Sequence, residues 1–180
     1  MHPKPAPNYL SEYPVEVTEK IHQQIEQGLL ANELLQKYPH SHTVRTNKAL
    51  YNYVMELKNT YLRKAEPLDK IAFDTKLHIT HNALGTHTKE SRLRGANLRG
   101  RREVIVATIF KNLPPEFLRM IAVHELAHLK EPKHNKAFYQ RCNNMEPDYD
   151  QLEFDLRTYL TYLEITGKPL WSSLSEQSKS

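Results

Sequence analysis

Hydrophobic residues recur at helical spacing in the first third of the chain. Residues 15–37 follow such a pattern, which predicts helical structure with a break or kink at Gly28. The pattern is clearest from about residue 46 to residue 64. One face of that helix carries apolar and aromatic residues three or four positions apart: Leu50, Val54, Leu57 and Tyr61. Pro67 follows, and because the position before a proline disfavours helical backbone, we expect the helix to end before it.

Between residues 70 and 110 the pattern changes to short runs of residues that favour strands. The strongest run is 103–110 (EVIVATIF), which is too continuously apolar for a half-exposed strand. Weaker strand candidates are 71–73, 77–79 and 91–97, and 82–85 is typical of a turn. We therefore predict a small sheet within residues 70–110.

Three further helices are predicted after the sheet, at about 115–130, 135–145 and 149–166. Proline at positions 114 and 115 ends the strand and opens the first of them, and Pro132 closes it. Helices that flank a small sheet indicate the α+β class.

The chain shows no internal repeat and no linker, so we expect a single domain over residues 15–166. It would consist of N-terminal helices (15–66), the sheet (70–110) and C-terminal helices (114–166). The proline-rich residues 1–14 are expected to form an irregular lead-in, and the polar, serine-rich residues 167–180 a flexible tail.

Composition narrows the class of protein further. Hydrophobic residues make up 39% of the 180 positions and charged residues 26%, as in an ordinary globular protein. No apolar run approaches the roughly 20 residues that span a membrane, and the N-terminus lacks a hydrophobic signal core. Cys142 is the single cysteine, so no internal disulfide can form. These features predict a cytoplasmic protein without a membrane partner.

Positive charge is concentrated in residues 89–102. That stretch contributes +5 to a net charge of +4, so the rest of the chain sums to −1. Its arginines are Arg92, Arg94, Arg99, Arg101 and Arg102. They predict contact with the phosphates of a nucleotide or nucleic acid, although a solvated strand edge explains them equally well.

A candidate metal site lies on the first predicted C-terminal helix, in the sequence IAVHELAHLKEPKHN (121–135). His124 and His128 are four residues apart, so both imidazoles can reach one ion from the same helix face. Glu125 lies beside them, where its carboxylate can accept a proton from a water molecule at the metal. Three ionisable side chains on an otherwise apolar helix would be costly to bury without such a role.

The site requires a third ligand, and His134 is the candidate. It cannot face the ion from the same straight helix, but Pro132 ends the helix and lets the chain turn back. Three histidines with one position open to water are the arrangement of a catalytic zinc site, so we expect one Zn²⁺ per chain.

The active-site block VHELAHLKEPKHNKAFY (123–139) and MEPDY (145–149) resemble the YgjP-like metallopeptidases, a bacterial family related to the SprT-like and WLM zinc proteases. LPPEFLRMIAVHE, TVRTNKALY and HNALG fit the same pattern, so the resemblance extends over about residues 40–165. It implies a zincin-like fold, with zinc on His124, His128 and His134 and catalysis by Glu125. One departure is RLRGANLRG, which stands where many relatives have a Trp-Gly-Ser-Cys-like stretch.

Three functions follow from these observations. The first is a zinc metallopeptidase acting on a peptide or protein. The second is a nucleoside triphosphate pyrophosphohydrolase with the same metal centre, since nucleotide cleavage has also been proposed within the family. The third is a metal-stabilised module that binds nucleic acid, although a purely structural zinc site has no need of Glu125.

Several other residues are weaker candidates. Tyr139 and Arg141 could stabilise an oxyanion or simply pack. Asp148 and Asp155 could orient ligand imidazoles, but helix capping or exposure explains them as well. The sheet-region histidines His78, His81 and His87 are more typical of structural positions, and Cys142 of a small buried hydrophobic residue.

Overall fold

The computed structural model describes residues 8–75 and 102–172, and in that part of the chain six α-helices surround two strands. The elements in order are α1 (Val15–Glu26), α2 (Leu29–Lys37), α3 (Asn47–Tyr61), β1 (Lys70–Asp74), β2 (Glu103–Ala107), a 3-10 helix (Thr108–Asn112), α4 (Pro115–Ala127), α5 (Lys136–Met145) and α6 (Tyr149–Thr166). The predicted α+β class is confirmed.

The N-terminal helices follow the predicted pattern closely. Gly28 adopts the left-handed conformation with φ of 72°, which separates α1 from α2 at the predicted break. The Thr46 hydroxyl caps α3 by accepting a hydrogen bond from the Ala49 backbone N–H at 3.1 Å. This helix ends at Tyr61, a few residues earlier than predicted, and Lys58 donates to the Ala65 carbonyl in the turn that follows.

The two strands pair in parallel, with Ile71 opposite Val104 and Asp74 opposite Ala107. The predicted strand 103–110 is too long, because pairing ends at Ala107 and the chain then winds into the 3-10 helix. That turn carries Phe110 into the core, where it is completely buried. Strand candidates 77–79 and 91–97 and the turn 82–85 lie outside the described residues.

Helix α4 is the most buried element of the fold. It packs against β2, α5 and α6, and ten of its thirteen residues are buried. Proline at its first position supports helical backbone. The helix ends at Ala127 rather than near the predicted residue 130, and the chain continues through tighter turns in which Leu129 and Lys130 donate to carbonyls three residues back. The core thus surrounds the helix that carries the candidate metal ligands.

The prediction of a flexible tail from residue 167 needs correction for residues 167–172. The Trp171 ring is 3% exposed and packs against Tyr159 and Phe117, at ring-centroid distances of 4.7 and 5.8 Å. Its indole N–H donates to the Tyr38 carbonyl at 2.7 Å, and Ser41 donates to the Ser172 carbonyl. A lone tryptophan in a polar segment gave no periodic signal, which is why the prediction missed this anchor.

Among the helices of the described part of the chain, none combines the length and apolar character that a membrane crossing requires.

Trp171→Ala should lower the free energy of unfolding by about 3–5 kcal/mol, because it removes a large buried ring and leaves a cavity. Denaturant unfolding followed by circular dichroism measures this change. Ile165→Ala is the control, since Ile165 is 57% exposed and should change stability by less than about 0.5 kcal/mol. Equal denaturant midpoints of unfolding for the two variants would contradict the anchoring role of Trp171.

Candidate metal centre

Three histidine side chains converge on one point at the end of α4. The Nε2 atom of His128 lies 3.2 Å from Nε2 of His124 and 2.9 Å from Nε2 of His134. The three residues form a group that could hold a metal ion, with all ligand atoms within 4.8 Å of one another. The structure therefore brings together the three residues that the sequence selected.

The backbone produces this convergence in two steps. His124 lies in the last turn of α4 and His128 is the residue that caps its end, so the two are one helical turn apart. The chain then reverses between α4 and α5, and Asn135 caps α5 by accepting from the Phe138 backbone N–H at 2.9 Å. This reversal carries His134 back toward the helix that it follows.

The ring of His128 has a defined tautomer. Its Nδ1 atom lies 3.0 Å from the backbone carbonyl of Glu131. Because a carbonyl oxygen can only accept, Nδ1 must carry the proton, and in a neutral ring this leaves the Nε2 lone pair facing the other two histidines. The side chain of Glu131 is in turn paired with Arg141 at 3.1 Å. This contact of Arg141 stabilises the loop between α4 and α5, which carries His134.

Phe138 supports all three imidazoles from one side. Its ring centroid lies 5.0 Å from that of His124, 4.5 Å from that of His128 and 4.8 Å from that of His134. Phe138 is completely buried, His124 and His128 are buried, and His134 is exposed. The three histidines thus pack on an apolar side chain and are open to solvent on the side of His134.

His124 has a different partner for its second ring nitrogen. Its Nδ1 atom lies 2.8 Å from the hydroxyl of Tyr149, at the start of α6. Burial raises the pKa of the Tyr149 phenol well above its ordinary value, and the Glu153 carboxylate adds to the rise. Burial also raises the pKa of Glu153, while Arg157, which is 3.1 Å away, opposes that rise.

Sequence reasoning missed Tyr149, although it stands in the MEPDY segment. The four-residue spacing of Tyr149, Glu153 and Arg157 was a signal that could have revealed it, because such spacing places side chains along one helix face.

The arrangement of donor atoms fits a metal ion. Ligand atoms at about 2.0–2.1 Å from a tetrahedral zinc are separated by about 3.3–3.4 Å, close to the observed 2.9 and 3.2 Å. The His128 lone pair already points to the shared centre, and a set of three imidazoles is typical of catalytic zinc sites. Glu125, next to His124 on α4, is 1% exposed.

The weaker candidates occupy other positions. Asp155 accepts from Tyr38 at 2.6 Å and pairs with Lys37, and Asp148 precedes α6 without a side-chain cap. Cys142 is completely buried, as predicted. Arg102 pairs with Glu66 at 2.6 Å. The Tyr139 ring centroid lies 6.4 Å from that of His134. The other candidates lie outside the described residues: His78, His81, His87, Arg92, Arg94, Arg99 and Arg101.

Comparison with known proteins adds two matches. The sequence profile of the YgjP-like metallopeptidase domain matches residues 11–159. A protein of Escherichia coli (strain K12) named UTP pyrophosphatase is 50% identical over 157 residues, which cover 87% of this chain and 94% of the relative. No solved structure gives a significant match. The profile covers most of the chain, including all three converging histidines, and the chain belongs to the YgjP-like metallopeptidase-domain family of metal-dependent hydrolases.

Proposed function

We propose that the chain is a zinc-dependent hydrolase that cleaves a nucleoside triphosphate to the monophosphate and pyrophosphate, with uridine triphosphate as the first candidate substrate. The convergence of three imidazole Nε2 atoms carries the hydrolytic part of this proposal. The substrate part is supported by the name of the relative that is 50% identical over 94% of its length. This support moves the nucleotide hypothesis ahead of the peptide hypothesis, which the sequence had favoured.

In this proposal His124, His128 and His134 hold the ion through Nε2. When bound, a zinc ion supplies Lewis acidity, which polarises a substrate oxygen and lowers the pKa of water. The Glu131 carbonyl orients His128 through the Nδ1 proton, and Phe138 excludes water from the back of the ligand set.

Glu125 is the proposed general base. Its carboxylate accepts a proton from the attacking water, whose oxygen forms a bond to the α-phosphorus. The bond from that phosphorus to the bridging oxygen breaks, and pyrophosphate leaves with the electron pair. Glu125 then returns the proton to solvent, so the carboxylate is regenerated. The burial of Glu125 favours this role, because exclusion of bulk water strengthens the interaction of its carboxylate with the attacking water.

The positive segment 89–102 is the proposed phosphate-binding partner of the metal centre. A triphosphate carries several negative charges, and arginine guanidinium groups match phosphate oxygens in geometry and charge. The stretch contributes +5 to the chain, so it is the main concentration of positive charge in the sequence.

Peptide hydrolysis is the second candidate, because the matching family is described as a metallopeptidase domain. The same base would deliver its proton to a leaving amine instead of returning it to solvent. A neutral peptide does not require the arginines. Positive charge in residues 89–102 is therefore needed for the nucleotide function and not for the peptide function.

The purified protein should hold about one zinc per chain, and the double variant His124→Ala/His128→Ala should hold none, because a single remaining imidazole binds zinc weakly. Elemental analysis after removal of loosely bound metal measures the content. His22→Ala is the control, since His22 is exposed on α1. Full occupancy in the double variant would place the metal elsewhere.

Glu125→Gln should keep the zinc and lose activity by about 10²–10⁴-fold, because an amide cannot accept the proton. Pyrophosphate release from uridine triphosphate and cleavage of an unfolded protein should be assayed in parallel, with and without chelator. Glu116→Gln, an exposed change on the same helix, should retain full activity. If the protein cleaves the unfolded protein but not uridine triphosphate, and chelator stops the cleavage, the peptidase function is supported. If zinc-loaded Glu125→Gln turns over substrate as fast as the wild type, Glu125 is not the general base.

Replacing Arg99, Arg101 and Arg102 with serine should leave the zinc content unchanged and raise KM for the triphosphate, or lower kcat if the contacts form only in the transition state. Steady-state kinetics distinguish these cases. If the partner is a nucleic acid, the log–log salt dependence of binding should instead flatten by a little under one unit per lost contact. Arg63→Ser, an exposed change in the described part of the chain, is the control. Unchanged kinetics and salt dependence would mean that the segment is only a solvated surface.

A further inference from the structure

A line of buried polar side chains leads from His124 into the interior of the protein. Tyr149 is completely buried, Glu153 is 7% exposed and Arg157 is 5% exposed. The three residues are spaced four apart on α6, so they lie along one face of that helix. Arg157 in turn donates to the backbone carbonyl of Tyr9 at 2.9 Å.

The direction of the first hydrogen bond follows from the proposed metal site. A neutral imidazole that binds an ion through Nε2 must carry its proton on Nδ1. The Nδ1 atom of His124 therefore donates to the Tyr149 hydroxyl oxygen, 2.8 Å away. The hydroxyl is then an acceptor in this bond, and its own proton needs another acceptor.

The Glu153 carboxylate and the Cys142 thiol lie close enough to the Tyr149 phenol to raise its pKa, so they are the two candidate acceptors of that proton. A carboxylate accepts strongly, with two oxygens that have no proton to offer, whereas a thiol is a weak acceptor. The carboxylate is the stronger acceptor of the two, which favours a relay that runs from imidazole to phenol to carboxylate.

We propose that Tyr149 is a positioning residue of the metal centre, which fixes the ring and tautomer of His124 by accepting from Nδ1 while donating to Glu153. The inference rests on the proposed function, because it takes His124 as a ligand through Nε2. It extends the familiar carboxylate–histidine–metal arrangement by one residue, with a phenol between the carboxylate and the imidazole.

Arg157 makes this arrangement possible in a buried environment. Its Nη2 and Nε atoms lie 3.1 and 3.2 Å from one oxygen of Glu153, and Nη1 is used by the Tyr9 carbonyl. An isolated buried carboxylate is costly, but a paired and hydrogen-bonded one can retain its charge. The guanidinium opposes the rise that burial causes in the pKa of Glu153, and so favours the charged form that accepts a proton.

The decisive variant is Tyr149→Phe, which keeps the buried ring and removes only the hydroxyl. We expect its zinc affinity, measured by competition with a chromophoric chelator, to fall by about 10–100-fold, as is typical when a partner of a ligand histidine is lost. Tyr159→Phe is the matched control, because Tyr159 is 1% exposed on the same helix and packs against Trp171 instead. Its zinc affinity should equal that of the wild type.

A second measurement uses the wild-type protein and does not depend on the variant folding. Two-bond nitrogen–proton correlation spectra of zinc-loaded protein with ¹⁵N-labelled histidine report which ring nitrogen carries the proton. We expect a protonated Nδ1 and a metal-bound Nε2 at His124. A protonated Nε2, or zinc on Nδ1, would overturn the inference.

The outcomes also separate the inference from the function beneath it. Wild-type protein that binds no zinc would remove both. Wild-type protein that binds zinc, together with equal affinities for Tyr149→Phe and Tyr159→Phe, would leave the hydrolase proposal standing and remove the positioning role of Tyr149.

Discussion

The orientation of three imidazole rings is the constraint on which the rest of this structure depends. A ring can offer its Nε2 lone pair to a shared centre only if its other nitrogen has a partner of the right polarity. The Glu131 carbonyl provides that partner for His128, and Tyr149 lies at hydrogen-bond distance from His124. The loop after α4 and the beginning of α6 are therefore as much part of the site as the helix that carries the ligands.

This constraint requires polar groups in places where a small domain would otherwise bury only apolar ones. His124, Glu125 and Glu153 are each less than 8% exposed, within a core that also contains Phe110 and Phe138. Burial of such groups costs several kcal/mol unless hydrogen bonds and opposite charges compensate. The Glu153–Arg157 pair is one such compensation, and it connects the interior of α6 to the N-terminal residues through Tyr9.

The same metal centre is compatible with two substrate classes, because attack by an activated water is common to peptide and phosphoanhydride hydrolysis. Discrimination between them must come from groups that bind the rest of the substrate. The positive segment 89–102 has the charge that a triphosphate requires of its binding site. A pocket for a neutral peptide would instead use backbone hydrogen bonds along a strand edge.

Features that depend on local spacing could be predicted from the order of the residues. The four-residue interval between His124 and His128, the proline that ends their helix and the six-residue interval to His134 were sufficient to select the histidine group, because helix geometry and proline stereochemistry act over a few residues. Helical periodicity likewise located α3 and α6, and Gly28 marked the break between α1 and α2.

Features that depend on contacts between distant segments became visible only in the folded chain. Pairing with β1 ends β2 at Ala107, three residues short of the apolar run, and burial of Trp171 against Tyr159 orders residues that look like a polar tail. The contact of Tyr149 with His124 joins residues 25 positions apart on different helices. Periodicity reports which face of a helix is buried, but it carries no information on which side chain of another element that face meets.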